Sequence, residues 1–114
     1  MMYPYVKSVT FDCQDALVVA RFWAAALGGE LDEDATSDKA FVEAPGWGAP
    51  NLWFQKVPEP KQGKLRMHFD LRAPGGDIPA EVKRLTDLGA TFAWEAHGLI
   101  VLRDPEGNEF CVEE

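Results

Sequence analysis

The sequence predicts an α+β fold: two βαβββ modules forming one curved, eight-stranded mixed sheet, with the helices on its outer face and a concave cup on the other. Three observations lead there. First, Phe11-Asp12-Cys13, a helix-like stretch and Leu27-Gly28-Gly29 are echoed by Phe69-Asp70-Leu71, a second helix-like stretch and Leu88-Gly89-Ala90. An echo at half the chain length means two copies of one supersecondary unit, neither of which buries its apolar face alone. Second, each copy runs through the same periodicities, a strand-like alternation, a helical stripe and three more short alternating runs. Third, 114 residues with 46% hydrophobic and 26% charged suit a single domain, 1–114, that buries roughly two thirds of its unfolded surface.

In the first module, about 5–57, Val6 to Cys13 places Val9, Phe11 and Cys13 on one face and Ser8, Thr10 and Asp12 on the other, the pattern of a half-buried strand. Asp15 is placed to cap a helix whose inner stripe is Val19, Phe22, Trp23, Ala26 and Leu27, ended by Gly28-Gly29. Strands are expected near Gly29–Asp34, Lys39–Ala44 and Asn51–Val57, the last two separated by a turn around Pro45-Gly46-Trp47-Gly48.

Residues 58–64, Pro58-Glu59-Pro60-Lys61-Gln62-Gly63-Lys64, have the composition of a linker. The second module, about 65–114, opens with a strand from Leu65 to Arg72, in which Met67, Phe69 and Leu71 alternate with His68, Asp70 and Arg72. Asp77 caps a second helix with Pro79 in its first turn, Ile78, Val82, Leu85 and Leu88 inside, and Gly89 at its end. Strands follow at Thr91–Glu95, Leu99–Arg103 and Asn108–Glu113, joined by turns at His97-Gly98 and Asp104-Pro105-Glu106-Gly107.

Phase then selects the cup-facing residues. If Val9, Phe11, Met67, Phe69 and Leu71 pack under the helices, Ser8, Thr10, Asp12, His68, Asp70 and Arg72 face the cup, because successive strand side chains point to opposite sides. Trp53 and Gln55 join them from the fourth strand, and Glu109, Cys111 and Glu113 from the last.

His68 is the one imidazole placed in the cup and suits a base, an acid or a ligand near neutrality; alternatively it is a strand histidine bonded to Asp70. His97 belongs to a turn. Asp12, Asp70 and Arg72 form either a charged wall, with Arg72 gripping a carboxylate, or an ion pair across strands. Trp47 and Trp53 suit stacking on a planar or cationic ligand, Trp23 is helix core, and Trp94 is left open between core and cup. Cys111 is a nucleophile if His68 lowers its pKa, and otherwise a buried inert thiol.

The net charge of −8 repels a phosphate backbone, so nucleic acid is excluded as a partner while a cationic or neutral small molecule is not. No apolar run approaches the roughly 20 residues that span a bilayer, so no membrane partner is expected. The start, Met1-Met2-Tyr3-Pro4-Tyr5-Val6-Lys7, lacks the apolar core of a signal peptide, and Cys13 and Cys111 read as reduced thiols, so a cytoplasmic location is expected.

Taken together, Val9 to Asp15 leading into Phe22-Trp23 and Leu27-Gly28, Phe54 to Glu59, Arg66 to Leu71, Leu88-Gly89-Ala90 and Asp104 to Phe110 resemble the vicinal oxygen chelate superfamily. This superfamily contains glyoxalase I, bleomycin-resistance proteins and extradiol dioxygenases, and the likeness is to its short glyoxalase-like members. The resemblance implies a site with one metal ligand from the first and fourth strands of each unit, typically His and Glu. The matching positions here are Ser8, Gln55, His68 and Cys111. Hydroxyl and neutral amide oxygens are weak donors, so no metal cofactor is expected; if a divalent metal binds, its ligands are His68, Gln55 and Cys111. A last strand shifted by one residue would offer Glu109 or nearby acids instead.

The expectation is a small-molecule-binding protein of the bleomycin-resistance type, holding its ligand among Ser8, Thr10, Asp12, Trp53, Gln55, His68, Asp70, Arg72 and Cys111. The alternative is a lyase, isomerase or dioxygenase-like enzyme with His68 as metal ligand or catalytic acid/base. A homodimer is implied by the resemblance alone.

Overall fold

Apolar alternation in Ser8–Cys13 (β1) and Asn51–Lys56 (β4) brings these segments side by side in parallel, Phe11 opposite Phe54 and Asp12 opposite Gln55. Phe11 and Phe54 stack with ring centroids 5.4 Å apart on the face that the first helix covers, and Phe54 is fully buried. The computed structural model describes residues 2–45 and 50–114; Trp47 and its turn lie outside the described residues.

The first helix, α1 (Ala16–Leu27), begins where the Asp15 side chain accepts the Val18 N–H and ends at Gly28, whose φ of 69° closes the last turn. Seven of its residues are buried, since nearly every side chain in ALVVARFWAAAL is apolar. Gly29 is needed for a different reason: a Cβ there would lie 2.8 Å from the Glu43 carbonyl oxygen. Glu30–Leu31 (β2) and Lys39–Glu43 (β3) complete a four-stranded sheet of order β1-β4-β3-β2.

The second module repeats this plan. Its strands are Asp70–Arg72 (β5), Thr91–Ala96 (β6), Leu99–Arg103 (β7) and Glu109–Glu113 (β8), in the order β5-β8-β7-β6. The helix α2 (Ile78–Leu88) is capped by Asp77, which accepts from the Ala80 N–H, and carries Pro79 in its first turn. The strands pair as two four-stranded sheets, one per module, rather than as one hydrogen-bonded sheet of eight. The chain divides between Pro60 and Lys61, inside the 58–64 segment, into two compact units.

Two expectations of detail are corrected. The strand foreseen over Leu65–Arg72 is only Asp70–Arg72, and Met67, expected beneath a helix, is exposed. The cause is register: with Asp70 opposite Cys111, residues 65–68 fall opposite 106–109, most of which belongs to a closed turn. In that turn Asp104 accepts the backbone N–H of Glu106 and Asn108 through Oδ1 and that of Gly107 through its carbonyl. Leu65 instead donates its N–H to the Glu109 carboxylate. Leu88 is the second correction. It is exposed, leaving Leu85 as the one buried residue of α2, because IPAEVKRLTDL carries a narrower apolar stripe than α1.

The turn at His97-Gly98 joins β6 to β7 with both residues at positive φ, 51° and 82°, the geometry of a tight hairpin. Trp94 is half-buried, with the Arg103 guanidinium 5.7 Å from its ring centroid.

Candidate functional site

In a parallel pair, register partners send their side chains to the same face, so Asp70 and Cys111 leave β5 and β8 together. The Cys111 N–H is held by the Phe69 carbonyl, which fixes the start of the ladder. His68, two residues before Asp70, has its Nε2 3.2 Å from Asp70 Oδ1. One ligand-type atom from each of His68, Asp70 and Cys111 lies within 4.8 Å of the others. His68 and Asp70 are exposed, whereas Cys111 is buried.

Burial pushes the Cys111 thiol up, and so do the charge of Asp70, the hydrogen bond Asp70 takes from the thiol and the charge of Glu113; Lys64 opposes them weakly. The dominant neighbour of the sulfur is thus an anion, not the imidazole that the nucleophile reading requires. At neutral pH the group is a thiol, which is a poor nucleophile.

Glu109, on the same strand, is structural. It is buried and holds Lys61 at 3.2 Å and the Leu65 N–H at 3.1 Å. Burial alone would raise its carboxyl, but the backbone N–H of Leu65, its own N–H and Lys61 outweigh that and hold it below the ordinary value. Arg72 is exposed and makes no ion pair among the described residues, so the cross-strand pair is not formed.

In the first module, Thr10, Asp12, Trp53 and Gln55 share the face opposite Phe11 and Phe54. Gln55 Nε2 donates to Asp12 Oδ1 at 2.8 Å. Trp53 packs on Phe41, ring centroids 4.5 Å apart, and the Lys39 ammonium sits 5.1 Å from its ring centroid. Trp53 therefore already holds a cation on its π face. Ser8, half-buried, is the register partner of Asn51.

Two clefts are lined by other residues, Phe41 excepted. One, of about 540 Å³, is lined by Glu30, Leu31, Asp32, Glu33, Phe41 and Glu43. The other, about 370 Å³, is lined by Ile78, Pro79 and Val82 of α2 with Glu95, Gly98 and Ile100.

A family model for the glyoxalase-like domain matches residues 8–113. The chain belongs to that family. Solved structures share the fold of this glyoxalase-like protein. One is a glyoxalase/bleomycin resistance protein/dioxygenase family enzyme from Burkholderia phytofirmans PsJN, with TM-score 0.71 and 18% identity over 96% of this chain and 97% of that one. Another is a possible glyoxalase from Bacillus cereus, with TM-score 0.69 and 16% identity over 96% and 98%. A third is a variant of the fosfomycin resistance protein FosX from Listeria monocytogenes, complexed with Mn(II) and 1S,2S-dihydroxypropylphosphonic acid, with TM-score 0.73 and 15% identity over 99% and 90%. A search of curated proteins found no match.

A hard cation such as Mn(II) wants several oxygen or imidazole donors. The residues of this glyoxalase-like protein do not fit that demand. Ser8 offers a hydroxyl and Gln55 a neutral amide oxygen, both weak donors, and Cys111 is a thiol. Asp70 was expected in the cup but not as a donor beside Cys111. The signal for it was the shared phase of the first and last strands of the second module, which needs their pairing to become readable.

Proposed function

We propose that this glyoxalase-like protein binds a cationic small molecule, with the His68, Asp70 and Cys111 group as the polar centre of its ligand site. The carrying observation is the convergence of those three side chains, one polar atom of each within 4.8 Å of the others and two of them exposed. The net charge of −8 favours approach of a cation and disfavours an anionic phosphonate. Sequestration of the bleomycin-resistance type fits this reading better than metal-dependent turnover, because the Ser8 and Gln55 positions carry weak donors.

A second reading, a metal-free lyase or isomerase, is favoured by one feature, the Asp70 carboxylate 3.2 Å from the His68 imidazole. A carboxylate so placed orients an imidazole for proton transfer. The proposal includes a cytoplasmic homodimer. Its two buried cysteines, not joined in a disulfide, are in keeping with a reducing compartment, and no helix among the described residues is long and apolar enough to cross a membrane.

A thermal-shift screen in chelator tests the function, using cationic, neutral and anionic drug-like compounds with bleomycin among the cations. Stabilisation by cations that is lost in His68→Ala supports binding. Stabilisation by anions only, or by no compound, overturns it.

A further inference from the structure

We propose that Glu109 is a positioning residue for the site of His68, Asp70 and Cys111: its buried carboxylate clamps a strap of residues 61–68 to β8 and so sets the His68 imidazole beside Asp70. The inference rests on the reading of those three residues as the ligand site and names what assembles it. The strap and its anchor both belong to the second unit, Lys61–Glu114. Among the described residues no backbone–backbone hydrogen bond involves 61–68, so no ladder fixes His68. The Glu109 side chain takes that part. Its Oε2 accepts from the Lys61 ammonium at 3.2 Å and its Oε1 from the Leu65 N–H at 3.1 Å. The same ammonium donates to the Gly63 carbonyl, and Gly63 turns the chain at a φ of 73°. From the other side Arg103, the register partner of Glu109 on β7, brings its Nε to 3.8 Å from Oε2.

The strap is tied to β8 at two points. Leu65 is held through the Glu109 side chain, and Phe69 through its carbonyl, which accepts the Cys111 N–H at 2.9 Å. Arg66, Met67 and His68 lie exposed between these ties, so their path is set by its two ends. Release of the Leu65 end frees the imidazole to leave the Asp70 carboxylate, now 3.2 Å away. A buried carboxylate is a costly way to gain stability, since apolar residues of the same volume do as well or better. What it adds here is direction: two oxygens that grip two donors four residues apart.

The test uses the full chain, reduced and in chelator, with nitrogen-15 in its two histidines. Ring signals of His68 are followed by NMR, and those of His97, in the β6–β7 turn, serve as the internal control. Glu109→Ala is expected to move or broaden the His68 signals and leave those of His97. Glu109→Gln, which still offers an oxygen to the Leu65 N–H, should move them less. Trypsin without denaturant should cut after Lys64 and Arg66 roughly tenfold faster in Glu109→Ala, with cutting after Lys56 unchanged, because native-state proteolysis follows local opening. Should Glu109→Ala fail to fold, Lys61→Met, which removes one tie and leaves Leu65 its partner, is read by the same two measurements. His68 signals that stay in place, signals of both histidines that move together, or strap cutting no faster than in the unaltered chain overturns the clamp. The two readings fail separately. If bleomycin and the other cations leave the unaltered chain unstabilised while His68 responds to Glu109→Ala, only the ligand reading falls; if cations stabilise the chain and His68 ignores Glu109→Ala, only the clamp does.

Discussion

Asp70 and Cys111 stand opposite each other across the parallel pair of β5 and β8, and the same Asp70 carboxylate lies 3.2 Å from the Nε2 of His68. One anion thus lies beside an imidazole and, second to burial, pushes a thiol above its ordinary value. The arrangement opposes thiolate chemistry in the absence of a cation.

Removing that anion should free the thiol. In a Cys13→Ala background, Asp70→Asn is expected to lower the pH midpoint for alkylation of Cys111. Each half unit of fall raises the thiolate fraction, and the labelling rate with it, about threefold at neutral pH. An unchanged midpoint would show that burial alone sets the thiol.

Acid stability depends on Glu109 and Glu81. Both carboxyls sit below their ordinary value: burial alone would raise Glu109, but its backbone partners and Lys61 outweigh it, and Glu81 is lowered first by its hydrogen bond from Arg84. A group whose pKa is lower folded than unfolded contributes stability above the unfolded value, and that contribution is lost as pH falls through the folded one. Urea midpoints should therefore drop as pH falls below about 4.5. Glu109→Gln should flatten that limb and cost about 1–3 kcal/mol at pH 7, since Lys61 and the Leu65 N–H lose a buried charged partner.

The two glycines after α1 should respond differently. Gly28→Ala meets open space but keeps a φ of 69°, a cost of about 1–2 kcal/mol. Gly29→Ala has no such φ, yet its Cβ meets the backbone oxygen of Glu43 at 2.8 Å, so β3 must move. Overpacking of that kind costs about 1–3 kcal/mol. Gly28→Asn, which tolerates the left-handed region, should recover part of the first loss, while Gly29→Asn should recover none.

Truncation should weigh according to burial. Phe54 is fully buried and stacked on Phe11, so Phe54→Ala should cost about 3–5 kcal/mol. Leu88→Ala on α2 should cost under about 1 kcal/mol, because that side chain is already exposed. Chemical denaturation at constant slope measures both.

The duplication, both helix caps, the helix-ending glycines and the alternation of Val9 and Phe11 against Thr10 and Asp12 were legible in the sequence, because each depends on neighbours within a few residues. Tertiary structure alone decided that Asp70 stands opposite Cys111, that 65–68 stays out of the ladder, and that Gly29 lies against Glu43. Those relations join segments far apart in the chain. Their register is set by turn closure at Asp104 and by packing across the sheet, which no local period encodes.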